Sequence, residues 1–335
     1  MARVKDGYPQ DGWVVVETIT EGGMTVVSVA GRQAEWQSVE RRAPAFVPIK
    51  RLIREVAARR QAIDVDVPGD GGRSARVVVI PVPTPRGLCH GVQFWCGPSG
   101  ATPPPPRSIA GCIWDFDRQI CVQPYESNVM SGRESVYTEE VSLARILSLG
   151  DRYDEYAPVL QQLFAPEPGH RSQSLVTVPH AEGRLMRWQV NVIAHPPGVF
   201  TIWEDVTDVR PVEPPTLHQI GLDSAQSLGL NVAVIAPQQG TLAMFLTPPP
   251  DWVQYNYRQA GVSIFHPDDL PKLADFVDSD SFDSAEHSQS ISIRILNVDN
   301  VYEPIDLTLR PYPDALGSGL VVGSFMRRAR SIFGL

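Results

Sequence analysis

Ser263-Ile-Phe-His-Pro-Asp-Asp-Leu-Pro-Lys-Leu273 is the stretch on which the reading of this chain turns. Pro267 suits the first position of a helix, where a missing N–H is not needed. Asp268 and Asp269 follow in the first turn, where exposed N–H groups and the helix dipole favour negative charge. His266 is then the N-cap, and Leu270, Leu273, Ala274 and Val277 continue as the buried face. Before this helix, Asn231-Val-Ala-Val-Ile-Ala-Pro237 reads as a strand and Gln238-Gln-Gly240 as a turn. After it, Ser288 to Val298, Pro304 to Tyr312 and Gly319 to Phe325 read as three antiparallel strands. The class is α+β, with two strands, short helices and three strands in order.

Proline divides the rest of the chain. Ala101-Thr-Pro-Pro-Pro-Pro-Arg107 reads as a stiff linker, and Pro211-Val-Glu-Pro-Pro215 as a second break. The expected organisation is a domain over 1–100, a linker over 101–107, a domain over 108–210, a linker over 211–222 and a domain over 223–335 ending in a basic tail. In the first, Gly12 to Thr20 and Met24 to Val29 form a hairpin across Glu21-Gly-Gly23. Ile49, Leu52, Ile53 and Val56 then fall at helical spacing, and Ala62 to Val67, Ala75 to Val82 and Gly87 to Cys96 supply three strands. In the second, Ile109 to Phe116 and Gln119 to Gln123 precede helices over Glu139 to Leu149 and Asp151 to Phe164. Ser172 to Pro179, Arg184 to Ala194 and Gly198 to Asp205 close it. The same plan is written three times.

Composition narrows the function classes. A net charge of −9 with no long basic stripe argues against nucleic acid as a partner. Basic residues outnumber acidic ones only in the first 100 residues, so the charge gradient suits contact between the first and last thirds or a solvated surface. No apolar run reaches the roughly 20 residues needed to span a bilayer. Met1-Ala-Arg-Val-Lys-Asp-Gly-Tyr8 lacks a signal-peptide core, and a cytoplasmic location is expected. The tail Phe325 to Leu335 is basic and amphipathic and suits weak contact with an anionic membrane surface or a partner.

Candidate chemistry is sparse. Cys89, Cys96, Cys112 and Cys121 lack metal-ligand spacing and read as buried reduced thiols. There is no G-x-S-x-G, and the glycine-rich turn Gly69-Asp-Gly-Gly72 lacks the Lys-Ser/Thr of a phosphate loop. His266 with Asp268 and Asp269 does not converge on one metal ion, so capping is the expected role. No catalytic, cofactor-binding or metal-binding residue is therefore assigned. For a ligand pocket the expectation is the aromatic stretch Trp252, Tyr255 and Tyr257 with His266, because apolar walls with a few polar groups suit small molecules. Plain core packing is the competing reading of the same residues.

His266-Pro-Asp-Asp-Leu270 resembles a segment of PAS domains, and Trp203-Glu-Asp-Val-Thr207 resembles the Asp-(Ile/Val)-Thr ending of their last strand. In length and layout the chain is similar to the mycobacterial-type tandem PAS–GAF–PAS proteins. That resemblance implies three PAS/GAF-like domains, each an antiparallel five- or six-stranded sheet flanked by helices. It makes the middle segment GAF-like, whereas the element order there is PAS-like. It also raises haem through a single histidine, for which His90, His170, His180, His195, His218 and His287 are scattered candidates. Flavin is not implied, since neither Cys112 nor Cys121 lies in an Asn-Cys-Arg-Phe context. With no kinase, cyclase, phosphodiesterase or DNA-binding signature in the sequence, the resemblance implies a non-enzymatic sensory or scaffolding protein acting in trans, through a small-molecule ligand or a protein partner. The alternatives are a rigid interaction scaffold without a ligand and an enzyme with a cryptic site, at His266 and Asp269 or in the aromatic region around Trp252.

Overall fold

The computed structural model describes residues 12–20, 24–115, 117–195, 198–256, 262–277, 287–312 and 319–327. The chain builds three antiparallel sheets in succession, each with a few helices. The first contains β1 (Val14–Glu17), β2 (Thr25–Val29), β3 (Arg32–Ser38), β4 (Ile63–Pro68), β5 (Ser74–Pro81) and β6 (Gly91–Pro98), in the order β3-β2-β1-β6-β5-β4. Helix α1 (Ile49–Arg59) buries Ile49, Leu52, Ile53 and Val56, the face its spacing predicts. Strand β3 adds to the expected plan: Ala30 and Gly31 both take positive φ (51° and 73°), the two-residue turn that lets antiparallel strands follow each other directly.

The middle sheet contains β7 (Ile109–Asp115), β8 (Ile120–Val122), β9 (Glu140–Ser142), β10 (Arg152–Tyr153), β11 (Arg171–Pro179), β12 (Leu185–His195) and β13 (Gly198–Asp205). Its order is β10-β11-β12-β13-β7-β8-β9. Seven strands exceed the expected five or six, and the surplus comes from the two spans expected to be wholly helical. Of Glu139 to Leu149, Glu140–Ser142 pair with Ile120–Val122, and the helix α3 (Leu143–Leu147) starts only after Ser142, whose Oγ accepts from the Arg145 N–H at 3.1 Å. Of Asp151 to Phe164, only α4 (Tyr156–Phe164) is helical. Pro158 must sit in a first turn to avoid losing a backbone hydrogen bond, so the helix cannot begin much earlier. Helix α2 (Tyr125–Ser131) follows β8.

The expected linker 211–222 is half helix. Thr216 and Gln219 form a reciprocal capping box that starts α5 (Leu217–Ser227). The third sheet contains β14 (Asn231–Ala236), β15 (Thr241–Phe245), β16 (Gln289–Leu296), β17 (Tyr302–Pro311) and β18 (Val321–Arg327), in the order β15-β14-β18-β17-β16, with α6 (Leu270–Val277) beside it. All three sheets thus share one core order, in which an opening strand is flanked by its hairpin partner and by the last strand of a closing meander.

Strand alternation stacks these sheets in layers. Val14 and Val16 pack toward α1, whereas Val15 joins Val27, Val82, Ile109 and Ile202 in an apolar seam between the first and middle sheets. Ala110, Cys112 and Trp114 point the other way, into the core under α3 and α4. That core also takes in Val234, Ala236, Ala243 and Met244 from the third sheet, so the helices of the middle segment lie between two sheets. The opposite face of the third sheet packs on Leu273 and Phe276 of α6.

Polar side chains fix these seams. Glu17 is fully buried, accepts from the Thr25 hydroxyl at 2.8 Å and the Ile19 N–H at 3.0 Å, and faces Arg171 across the seam at 3.7 Å. The polyproline stretch is docked along the first sheet: the Trp13 indole donates to the Pro104 carbonyl at 2.9 Å, and the Arg107 N–H to Gln93 Oε1 at 2.9 Å. Arg107 then pairs with fully buried Glu204 at 3.0 Å and with Asp208 at 2.7 Å. Burial nevertheless holds the Glu204 carboxyl above its ordinary range.

Among the described residues no helix is long and apolar enough to cross a membrane. Residues 328–335, most of the basic tail, lie outside the described part of the chain.

Candidate functional site

The middle segment contains a cavity between the inner face of its sheet and helices α2, α3 and α4, with about 720 Å³ of space, part of it open to solvent. Strand alternation supplies its floor: Ser174, Val176 and Val178 from β11, Trp188, Val190 and Val192 from β12, Thr201 and Trp203 from β13, and Trp114 from β7. Register places Ser174 opposite Val190, and Val190 opposite Trp203, so these three form one row across the floor. The roof comes from Ile146 and Leu147 of α3 and Val159 and Leu163 of α4. Gln123, Ser127, Asn128, Ser131 and Arg133 make one polar end.

Helix α2 is held there by its C-terminus. Gly132 takes φ 68° and its N–H caps the helix, while the Ala181 N–H donates to the Ser131 carbonyl at 2.9 Å. A Cβ at Gly132 would lie 2.6 Å from the His180 ring, so the close approach of α2 to the β11–β12 turn depends on glycine.

Part of the polar lining satisfies itself. The Ser127 hydroxyl donates to Gln123 Oε1 at 2.9 Å, Gln123 Nε2 donates to the Thr138 carbonyl at 3.0 Å, and the Trp114 indole donates to Thr201 Oγ1 at 3.2 Å. The Tyr153 hydroxyl donates to the Leu147 carbonyl at 3.0 Å, and burial raises its pKa far above the usual phenol value. Four other buried polar atoms on the lining have no protein partner: Trp188 Nε1, Trp203 Nε1, Ser174 Oγ and Arg133 Nη1. Such groups are uncommon in folded proteins, where buried donors are normally paired with protein or water. Burial first, and then the nearby Arg145 cation, lower the Arg133 pKa. Among the described residues no Asp or Glu lines the cavity.

Arg133 and Tyr153 are the only ionisable side chains among the described residues that line the cavity. Among the described residues no group of three or more His, Cys, Asp and Glu could hold a metal ion. Cys112 and Cys121 are buried, and burial pushes the Cys112 thiol well up.

Helix α3 links the cavity to the third sheet. Its Ile146 and Leu147 line the roof, whereas Ala144 belongs to the core of the third segment. The Ser142 hydroxyl donates to the Tyr255 carbonyl, and Arg145 Nη1 lies 3.0 Å from the Tyr255 hydroxyl.

The residues expected to form a pocket lie in the third segment, and the three described ones do not line this cavity. Trp252 packs edge-on against Phe325 at 6.2 Å between ring centres, with the Arg327 guanidinium 5.2 Å above it. Tyr255 packs against Phe245 and faces Arg145. His266 is the N-cap that the sequence predicts, its Nδ1 accepting from the Asp268 N–H at 3.2 Å, and its ring meets Tyr302 at 4.8 Å. Tyr257 lies outside the described residues. The cavity itself was not anticipated. Its available signal was the run of inward positions on β11 to β13, where tryptophans and a serine interrupt the aliphatic pattern.

Residues 12–105 match the family described as Rv3651-like, N-terminal. That match covers the first sheet and the polyproline stretch. Over the whole chain the fold is similar to the crystal structure of an uncharacterized protein from Mycobacterium tuberculosis, with a TM-score of 0.77 and 20% identity, covering 95% of this chain and 97% of that one. At that identity the likeness speaks for the fold alone. An RNA-binding light-oxygen-voltage receptor aligns over 66% of this chain and 95% of its own at 12% identity, but its TM-score of 0.25 carries no argument. The comparison with curated proteins found no match.

Proposed function

We propose that this chain is a non-enzymatic sensory protein of the tandem PAS–GAF–PAS type, which binds a small molecule in the cavity of its middle segment and signals in trans to a protein partner. The observation that carries this reading is the cavity, whose lining is mostly apolar with a few polar groups, the make-up of small-molecule sites. The core order shared by the three sheets, an opening strand flanked by its hairpin partner and by the last strand of a closing meander, is the ground for the PAS-like assignment. Helix α3 supplies a route for the signal, because a ligand that moved Ile146 and Leu147 would press on the third sheet through Ala144 and Arg145. A cytoplasmic setting belongs to the same proposal.

The buried ion pairs that fix the seams would equally suit a rigid scaffold, in which the cavity holds only water. Native mass spectrometry separates the two. The full chain purified from its own host should carry added mass of a small molecule, and a Val190→Phe variant, which narrows the cavity, should lose it. Bare protein mass for both chains would favour the scaffold.

A further inference from the structure

We infer that the cavity of the middle segment takes a small organic carboxylate, with its acid group received by Arg133 and an indole N–H and its apolar body lying against the aliphatic walls. This rests on reading the cavity as a ligand site and goes on to name the chemistry of the ligand. The unused hydrogen-bonding capacity of the lining is mostly that of donors. Trp188 Nε1 and Trp203 Nε1 can only donate, and so can the Arg133 guanidinium. Both tryptophans are more than nine-tenths buried, at 5% and 7% exposure, so bulk water does not satisfy them. Three unpartnered donors, with one hydroxyl at Ser174 able to serve either way, call for a ligand rich in acceptors.

Charge narrows the class further. Arg133 makes no ion pair among the described residues, and no carboxylate lines the cavity to neutralise it. The charged group that acts on it is repulsive, Arg145, whose own guanidinium engages Tyr255. A half-buried cation left beside a second cation favours an anion, and a guanidinium fits a carboxylate better than a spherical ion because it donates in pairs.

Position makes the two sets of donors compatible. Arg133 follows Gly132, which sits against His180 at the end of β11. On the inner face, counting from that end, the paired positions Val178↔Met186 come first and Val176↔Trp188 next, so the Trp188 indole belongs to the second inward row from the Arg133 end. Beyond it lie the Val190 row, which carries Ser174 and the Trp203 indole, and the Val192 row, whose Ser172 and Thr201 hydroxyls are already hydrogen-bonded. An acid at the Arg133 end with a carbon skeleton running toward Val192 matches that order.

The test uses a matched pair of probes on the full chain, 4-phenylbutyrate and its uncharged analogue 4-phenylbutanol, with affinities read by isothermal titration calorimetry. The expected result is that the carboxylate binds about tenfold tighter or better, the scale of a charged hydrogen bond. Arg133→Met, which keeps the length of the side chain, should erase that preference while leaving the alcohol's affinity within about twofold, on the same scale. Trp188→Phe, which removes one N–H and keeps the ring, should reduce it in part. Equal binding of the two probes, or a preference that survives Arg133→Met, would overturn the carboxylate inference and leave the cavity as a ligand site. Binding of neither probe to a folded chain would overturn both.

Discussion

Arg145 donates from Nη1 to the Tyr255 hydroxyl at 3.0 Å, across the boundary between the middle and third segments. The same guanidinium lies 5.7 Å from the centre of the Tyr255 ring. Tyr255→Phe removes the hydroxyl and keeps the ring, and should cost about 1 kcal/mol. Arg145→Gln should cost a similar amount, and the double variant less than their sum, because both remove one interaction. Urea denaturation of the four chains of this cycle measures the coupling.

Asp269 joins the start of α6 to β16. Its carboxylate accepts from the Arg294 N–H at 3.0 Å, from Arg294 Nε at 2.8 Å and from Lys272 Nζ at 2.8 Å, and it is 4% exposed. Asp269→Ala leaves a backbone donor and a guanidinium without their acceptor and should cost about 2 kcal/mol or more. Exposed Asp268, next to it, should tolerate alanine at well under about 1 kcal/mol. Chemical denaturation midpoints of the two variants check the contrast.

That pair marks how far the sequence could be read. Pro267 and the two aspartates announce a helix start through chemistry confined to a few neighbouring residues, and the helix is there. The specific role of Asp269 depends on Arg294, which is brought close only by the third sheet. Trp252 and Tyr255 were legible as packing aromatics, but their partners Phe325 and Arg145 lie far off in sequence. The capping box at Thr216 and Gln219 was legible and was masked by the prolines before it. A cavity is harder still, because it is set by space that side chains from eight elements fail to fill.

His90 gives the chain a pH dependence. It is buried at the seam of the first and middle sheets, edge-on to Phe200 at 5.0 Å, and burial lowers its pKa to about 4 from an ordinary 6.5. The unfolded chain therefore binds a proton between those values that the folded chain refuses. Stability falls as pH drops from about 6.5 toward about 4, by about 3 kcal/mol in total. Asp269 adds a separate loss at lower pH: Arg294 holds its carboxyl well below the usual range, so its contribution disappears only below the ordinary carboxylate pKa. Melting temperatures between pH 7 and 4.5 should drop steeply for the parent chain and much less for His90→Phe.

Gly132 should resist substitution. Gly132→Ala places a side chain at φ 68° and 2.6 Å from the His180 ring. The expected cost is about 1 kcal/mol from the backbone alone, and more if α2 must withdraw from the β11–β12 turn. Thermal unfolding measures the cost. Binding of 4-phenylbutyrate should weaken in parallel, because Ser131 and Arg133 flank this position on the cavity wall.

The central claim is that occupancy of the middle cavity reaches the third sheet through α3, and hydrogen–deuterium exchange of the full chain tests it most directly. With 4-phenylbutyrate bound, the account predicts slower exchange at Leu143–Leu147 and at Thr241–Phe245, which packs against that helix, and no change at Ile63–Pro68 on the far edge of the first sheet. Protection confined to the cavity walls, with Thr241–Phe245 unchanged, would contradict it.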